Sequence, residues 1–223
     1  VPDILIASLA GLLAGFLFHT LAVIQVNKRA KEERQKKIIR QPYILISWML
    51  LSALLFNLLF LRTENIFQRI EYCIYISIAL NIAAVDKLVC KIPNMLLLAL
   101  MLTKTIFIIL GIVRGEKVFD TIVYPLIGLG CGFVLFLIPS LFHVKIGAGD
   151  LKFSGVIGFC LGIFNFIQAM IIMSAALLVY LVYLLLTKKG NLKTAAAMGP
   201  FLSFGCVLTM LYPLYEVFLA QHL

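Results

Sequence analysis

Long stretches of almost uninterrupted apolar residues follow one another along the chain, separated only by short polar turns. They fall at 4–26, 43–61, 72–90, 95–113, 119–142, 151–164, 167–187 and 198–219. A segment placed in hydrocarbon must satisfy its backbone hydrogen bonds internally, so only helices and closed barrels are open to it. These runs are continuously apolar and do not alternate, which selects helices. Composition agrees: 63% of the 223 residues are hydrophobic and 13% charged, against ~45–50% and about 25% in soluble domains. A soluble enzyme, a disordered tail and a secreted disulfide scaffold are excluded. The expected fold is an all-α, polytopic membrane helix bundle of about eight transmembrane helices. No internal repeat or long linker divides it, so residues 1–223 read as a single integral-membrane domain. Five cysteines, Cys73, Cys90, Cys131, Cys160 and Cys206, stand singly in or beside apolar runs with no CxxC pair. They read as small buried hydrophobes, and no metal site is expected.

The Lys and Arg residues orient the bundle. Seven of them, Lys28, Arg29, Lys31, Arg34, Lys36, Lys37 and Arg40, fill the short loop 27–42. Lys87, Lys91, Lys145, Lys152, Lys188, Lys189 and Lys193 occupy turns on the same side, whereas the opposite side holds Arg62, Arg69, Arg114 and Lys117. This bias puts the loop-rich side in the cytoplasm and both termini outside. The net charge of +9 is therefore read as an orientation signal lying on anionic headgroups, with the lipid bilayer and no nucleic acid as its partner. The first run has basic residues after it and none before it, the reverse of a signal peptide's layout, so it is expected to remain as a span.

Ten carboxylates occur, and eight of them, Glu71 included, stand near predicted helix ends where water can reach them. Asp86 and Asp150 differ. The apolar stretch from Tyr72 to Val85 provides roughly 21 Å of helix, short of a ~30 Å hydrocarbon core. Asp86 must then lie inside the span, about one turn from its cytoplasmic end. The run from Leu151 to Phe164 is equally short and draws the Gly147-Ala148-Gly149-Asp150 turn toward the same depth. An ionisable group at such depth is costly and points to function. The plainer alternative is that each Asp caps a helix; it suits Asp150 at an N-terminus and not Asp86 at a C-terminus.

Two neighbouring carboxylates in a dry site can share one proton. The ionised member then deprotonates a water and the protonated member polarises an amide carbonyl, which is peptide hydrolysis without a metal or covalent intermediate. Gly147 and Gly149 are expected to give the turn dihedral freedom and close backbone approach. Ser154, Gly158 and Gly162 form a small-residue stripe behind Asp150, with Gly128 and Gly132 as its complement, and the simplest role for all of them is packing.

Asp86-Lys-Leu-Val-Cys-Lys-Ile-Pro93-Asn94, then Gly147-Ala-Gly149-Asp150-Leu-Lys152 in GxGDxK form, then Pro200 in Met198-Gly-Pro-Phe-Leu-Ser-Phe-Gly205 occur in order. Together they resemble the type IV prepilin leader peptidases, the bacterial branch of the GxGD intramembrane aspartyl proteases. The resemblance covers an aspartyl peptidase core at about 72–210 and extends weakly to Gly11-Leu-Leu-Ala-Gly15. It implies an endopeptidase of the inner (plasma) membrane that removes the basic leader of prepilins or pseudopilins at the cytoplasmic face, with Asp86 and Asp150 catalytic. Gly147, Gly149, Lys152, Pro93, Asn94 and Pro200 are its supporting positions. Proteolysis needs no cofactor, while S-adenosylmethionine would serve the N-methylation that many members also perform.

One departure stands out. The large cytoplasmic loop with two CxxC pairs found in many members is here the short basic run 27–42, which puts methyl transfer in doubt and also resembles the archaeal preflagellin peptidases that only cleave. Val85 stands where presenilin-like relatives usually carry Tyr. Two readings from other classes remain. One is a proton-coupled transporter using Asp86, Asp150 and the mid-span Lys104 as a relay. The other is a leader-binding protein with a dead active site.

Overall fold

The computed structural model describes residues 2–141, 147–187 and 197–214. The helices are α1 (Pro2–Arg29), α2 (Glu33–Ile39), α3 (Pro42–Arg62), α4 (Ile66–Val89), α5 (Asn94–Val113), α6 (Tyr124–Leu141), α7 (Ala148–Leu186) and α8 (Gly199–Leu211), and a π-helical turn at Phe119–Val123 leads into α6. No strand occurs among the described residues. Among the described residues, six helices are long and apolar enough to cross a membrane. Their outer surfaces expose Leu5, Leu13, Leu50, Leu54, Ile106, Ile171 and Val179, a surface suited to lipid and not to water.

Small residues set how closely the helices approach. Gly11 and Gly15 of α1 lie against the α3 backbone, where a Cβ would meet the Cα atoms of Ala53 and Met49 at 2.5 and 2.7 Å. The most extensive contact joins α6 and α7. There Gly128 abuts the backbone of Gly158, and Gly132 abuts Ser154 and Gly155; the Ser154 hydroxyl donates to the Gly132 carbonyl at 3.0 Å. Such backbone-to-backbone packing is how helices hold together where lipid removes the usual hydrophobic drive. Packing is thus the role of the stripe expected from the sequence.

The runs expected at 151–164 and 167–187 are continuous in α7, broken only at Gly162, whose φ of 74° and ψ of 168° are non-helical. That backbone region is essentially restricted to glycine. The contacts on either side show that the chain reverses there. Before the break, Ser154, Gly158 and Gly162 meet Gly132, Gly128 and Tyr124 in turn. After it, Gln168 bonds the Tyr212 carbonyl at the far end of α8, Ala169 and Met173 meet Gly205, and Tyr180 packs on Phe201 near the start of α8. The two halves of α7 therefore run in opposite directions through a one-residue hinge.

Four expectations change. α4 begins at Ile66, not Tyr72, because the Asn65 side chain caps it by accepting the Phe67 amide at 3.0 Å. Arg69 enters the helix by donating to the carbonyls of Thr63 and Phe60. About 30 Å of helix then precedes Asp86, so the length argument that drew Asp86 inward is removed. The loop 27–42 contains the helix α2, whose Ile39 is 1% exposed among Ala22, Val26 and Val85. His19 of α1 pairs through Nε2 with the Ile39 carbonyl at 2.9 Å. Cys90 is exposed and adopts φ 52°, a left-handed cap whose N–H donates to the Asp86 carbonyl and ends α4. Glu71 is buried, as described below. The turns carrying Lys145, Lys188, Lys189 and Lys193, and the end of the last predicted run with Glu216, lie outside the described residues.

Candidate functional site

Asp86 sits in the last turn of α4 and is 5% exposed. Its Oδ2 accepts the backbone N–H of Gly199 at 2.9 Å. Gly199 is the first residue of α8, with Pro200 behind it at a position where a missing N–H costs nothing. The amides of a helix's first turn have no partner within the helix. Here a carboxylate from another helix supplies one. A Cβ on residue 199 would lie 2.7 Å from that same Oδ2 and 2.9 Å from the Asp86 Cβ, so glycine lets the carboxylate reach the amide without displacement.

Asp150 stands in the first turn of α7, half-buried, two residues beyond Ala148. It is not the cap: Gly147 holds that position, at φ −64° and ψ 132°. These angles are open to any residue, so the expected dihedral freedom of Gly147 is not what the turn uses. Glycine instead gives clearance, since a Cβ there would meet Asp150 Oδ2 at 2.7 Å. Gly149 is helical and faces Ile92, whose Cβ would lie 3.3 Å from a Cβ at residue 149. Ile92 belongs to the α4–α5 turn, and Pro93, buried, is the N-cap of α5. In this way the 147–150 segment rests on the turn that follows Asp86.

The two aspartates come together at one end of the bundle, near enough for the charge of Asp86 to act on Asp150. No hydrogen bond joins their carboxylates. A shared proton is therefore not the resting arrangement; catalytic contacts of this kind tighten when substrate arrives. Neither aspartate has an ion pair among the described residues, and Lys152 and Asn94 are exposed. The sequence singles out both aspartates and Pro200 as candidates but does not point to the Gly199 amide as the Asp86 partner. The available signal was the Gly-Pro pair opening an apolar run, a helix start whose free amides need acceptors.

A second polar cluster lies toward the opposite end. Lys104 Nζ is 3.1 Å from Glu71 Oε1, with the two side chains 16% and 12% exposed, and the Tyr75 hydroxyl donates to the same oxygen at 2.7 Å. Glu71 is not hydrated at a helix end, because α4 starts earlier than the apolar run. A cavity of about 470 Å³ opens beside the pair, between the starts of α4 and α6, the end of α5 and the α7 hinge. Lys104 is thus bound to Glu71 and pairs with neither Asp86 nor Asp150.

No family model, no curated protein and no solved structure matches this chain.

Proposed function

We propose that the chain is an intramembrane aspartyl endopeptidase that removes the basic leader from type IV prepilins or pseudopilins at the cytoplasmic face of the inner membrane. The observation that carries this reading is the convergence of Asp86 and Asp150, from separate helices, at the end of the bundle where α2 and its basic residues also lie. In this reading the halves of α7 each cross the bilayer and α8 is the eighth crossing, with both termini outside. An ionised carboxylate takes a proton from water, a protonated one gives its proton to the scissile carbonyl oxygen, and neither metal nor cofactor takes part. Methyl transfer from S-adenosylmethionine is not part of the proposal.

The test is incubation of purified protein in micelles with a peptide joining a basic leader, a Gly and an apolar segment, read by mass spectrometry. Cleavage after the Gly is the expected result. Solute uptake or proton flux in liposomes without any cleavage would overturn the proposal in favour of a transporter.

A further inference from the structure

Resting on the peptidase reading, we infer that the N-terminus of α8 divides the labour of the two aspartates: the Gly199 amide holds Asp86 as the ionised base, which leaves Asp150 as the proton-bearing acid. The two carboxyl groups meet different surroundings. Asp86 is buried and accepts a backbone N–H at 2.9 Å from the first residue of a 13-residue helix. A hydrogen bond to the charged form favours that form. The helix dipole favours both anions alike, since each carboxylate stands at a helix N-terminus, so the hydrogen bond is what separates them. Asp150 also lies in a helix's first turn, but no N–H reaches its carboxylate among the described residues. Two nearby anions, one buried and one half-buried, repel, so the one with the donor keeps its charge and the other takes the proton.

The other elements around Asp86 do not alter this. α8 has no charged residue from Gly199 to Leu211. α1 carries Lys28 and Arg29 in its last turn and His19, which is engaged by Ile39. α3 starts with Pro42 and Tyr43, and α5 with Asn94 after the exposed Lys91. None of these forms an ion pair or hydrogen bond with the Asp86 carboxylate among the described residues.

The step balances as follows. Asp86 accepts a proton from water as the water oxygen bonds to the scissile carbon, and Asp150 passes its proton to the carbonyl oxygen, giving a neutral gem-diol. The C–N bond then breaks as the Asp86 proton moves to the leaving nitrogen and a gem-diol hydroxyl proton returns to Asp150. Both carboxyls end as they began. Gly199 is a positioning residue, since it touches Asp86 and not the reacting atoms.

Gly199→Ala tests the assignment, because its methyl group would crowd the Asp86 side chain, 2.7 Å from Oδ2 and 2.9 Å from Cβ. We expect kcat to fall by about tenfold with KM little changed, and the acidic limb of the pH–rate profile to move up by about one unit as the favoured anion loses its donor. A merely structural glycine would lower the amount of active protein and leave the limb in place, which would overturn the assignment. A second readout needs no turnover. A hydrophobic carbodiimide, which modifies protonated carboxyls, should label Asp150 in the unaltered protein and reach Asp86 only in Gly199→Ala, as mapped by mass spectrometry. Label on Asp86 in the unaltered protein would overturn the assignment while leaving the peptidase reading intact. Absence of peptide cleavage by the unaltered protein would sink both.

Discussion

Lys104 of α5 and Glu71 of α4 form a 3.1 Å ion pair within the apolar body of the bundle, and Tyr75 completes it by donating to the same Glu71 oxygen. Removing one member leaves the other charge buried and uncompensated. Lys104→Met should therefore destabilise the protein by about 3 kcal/mol. Adding Glu71→Gln should recover part of that loss, because the amide oxygen still accepts from Tyr75 and no charge remains. Unfolding in micelles, followed by helical circular dichroism, measures both; a double variant no more stable than Lys104→Met would show that the pair is not the source.

Gly162 is where α7 reverses. Gly162→Ala puts a Cβ on a backbone at φ 74°, ψ 168°, a cost of about 2 kcal/mol. Gly130 is the matched control, being helical with open space where its Cβ would stand, and its change to Ala should be neutral or slightly stabilising. Equal losses in the two variants would contradict the hinge.

The close contact of Gly128 and Gly158 leaves no room for a methyl group at either position. Gly158→Ala should separate α6 from α7 and lower stability by about 1–3 kcal/mol. Because α7 begins with the Asp150 turn, the same variant should lower peptide cleavage more than its loss of folded protein explains.

Asp86→Asn and Asp150→Asn should each lower cleavage of the leader peptide by at least about a hundredfold. Folding should survive, since an Asn oxygen at residue 86 can still accept the Gly199 amide. Size-exclusion profiles and unfolding curves check the second point, and a variant that is both folded and fully active would remove its aspartate from the mechanism.

Cys90 caps α4 in a left-handed conformation at φ 52°. Cys90→Gly relieves that cost, offset in part by glycine's greater freedom in the unfolded chain, for a net gain of about 0.5 kcal/mol. Thermal unfolding in micelles would show it as a small rise in the midpoint.

Helical class and a set of helices apolar enough to cross a membrane are legible from sequence, because lipid admits few alternatives to an apolar helix. The depth of Asp86 is not, because it rested on a helix start at Tyr72 that the structure moves to Ile66. The Ser154-Gly158-Gly162 stripe and its complement on α6 are legible for a similar reason, as only small residues at a four-residue spacing let two backbones touch. Helix starts are less so. Hydropathy put the start of α4 at Tyr72, yet Asn65 begins it and carries Arg69 and Glu71 inside, since a polar residue with a partner joins a helix that its hydropathy alone would end. Which partner it finds is decided by other helices. Nothing in the run around Glu71 announces Lys104, thirty-three residues away, and nothing around Asp86 announces the amide of Gly199, 113 residues on. Burial and hydrogen bonding depend on what lies across the interface: hydropathy singled out the two aspartates, and only the packing of α8 against α4 gave Asp86 the Gly199 donor, while among the described residues no N–H reaches the Asp150 carboxylate.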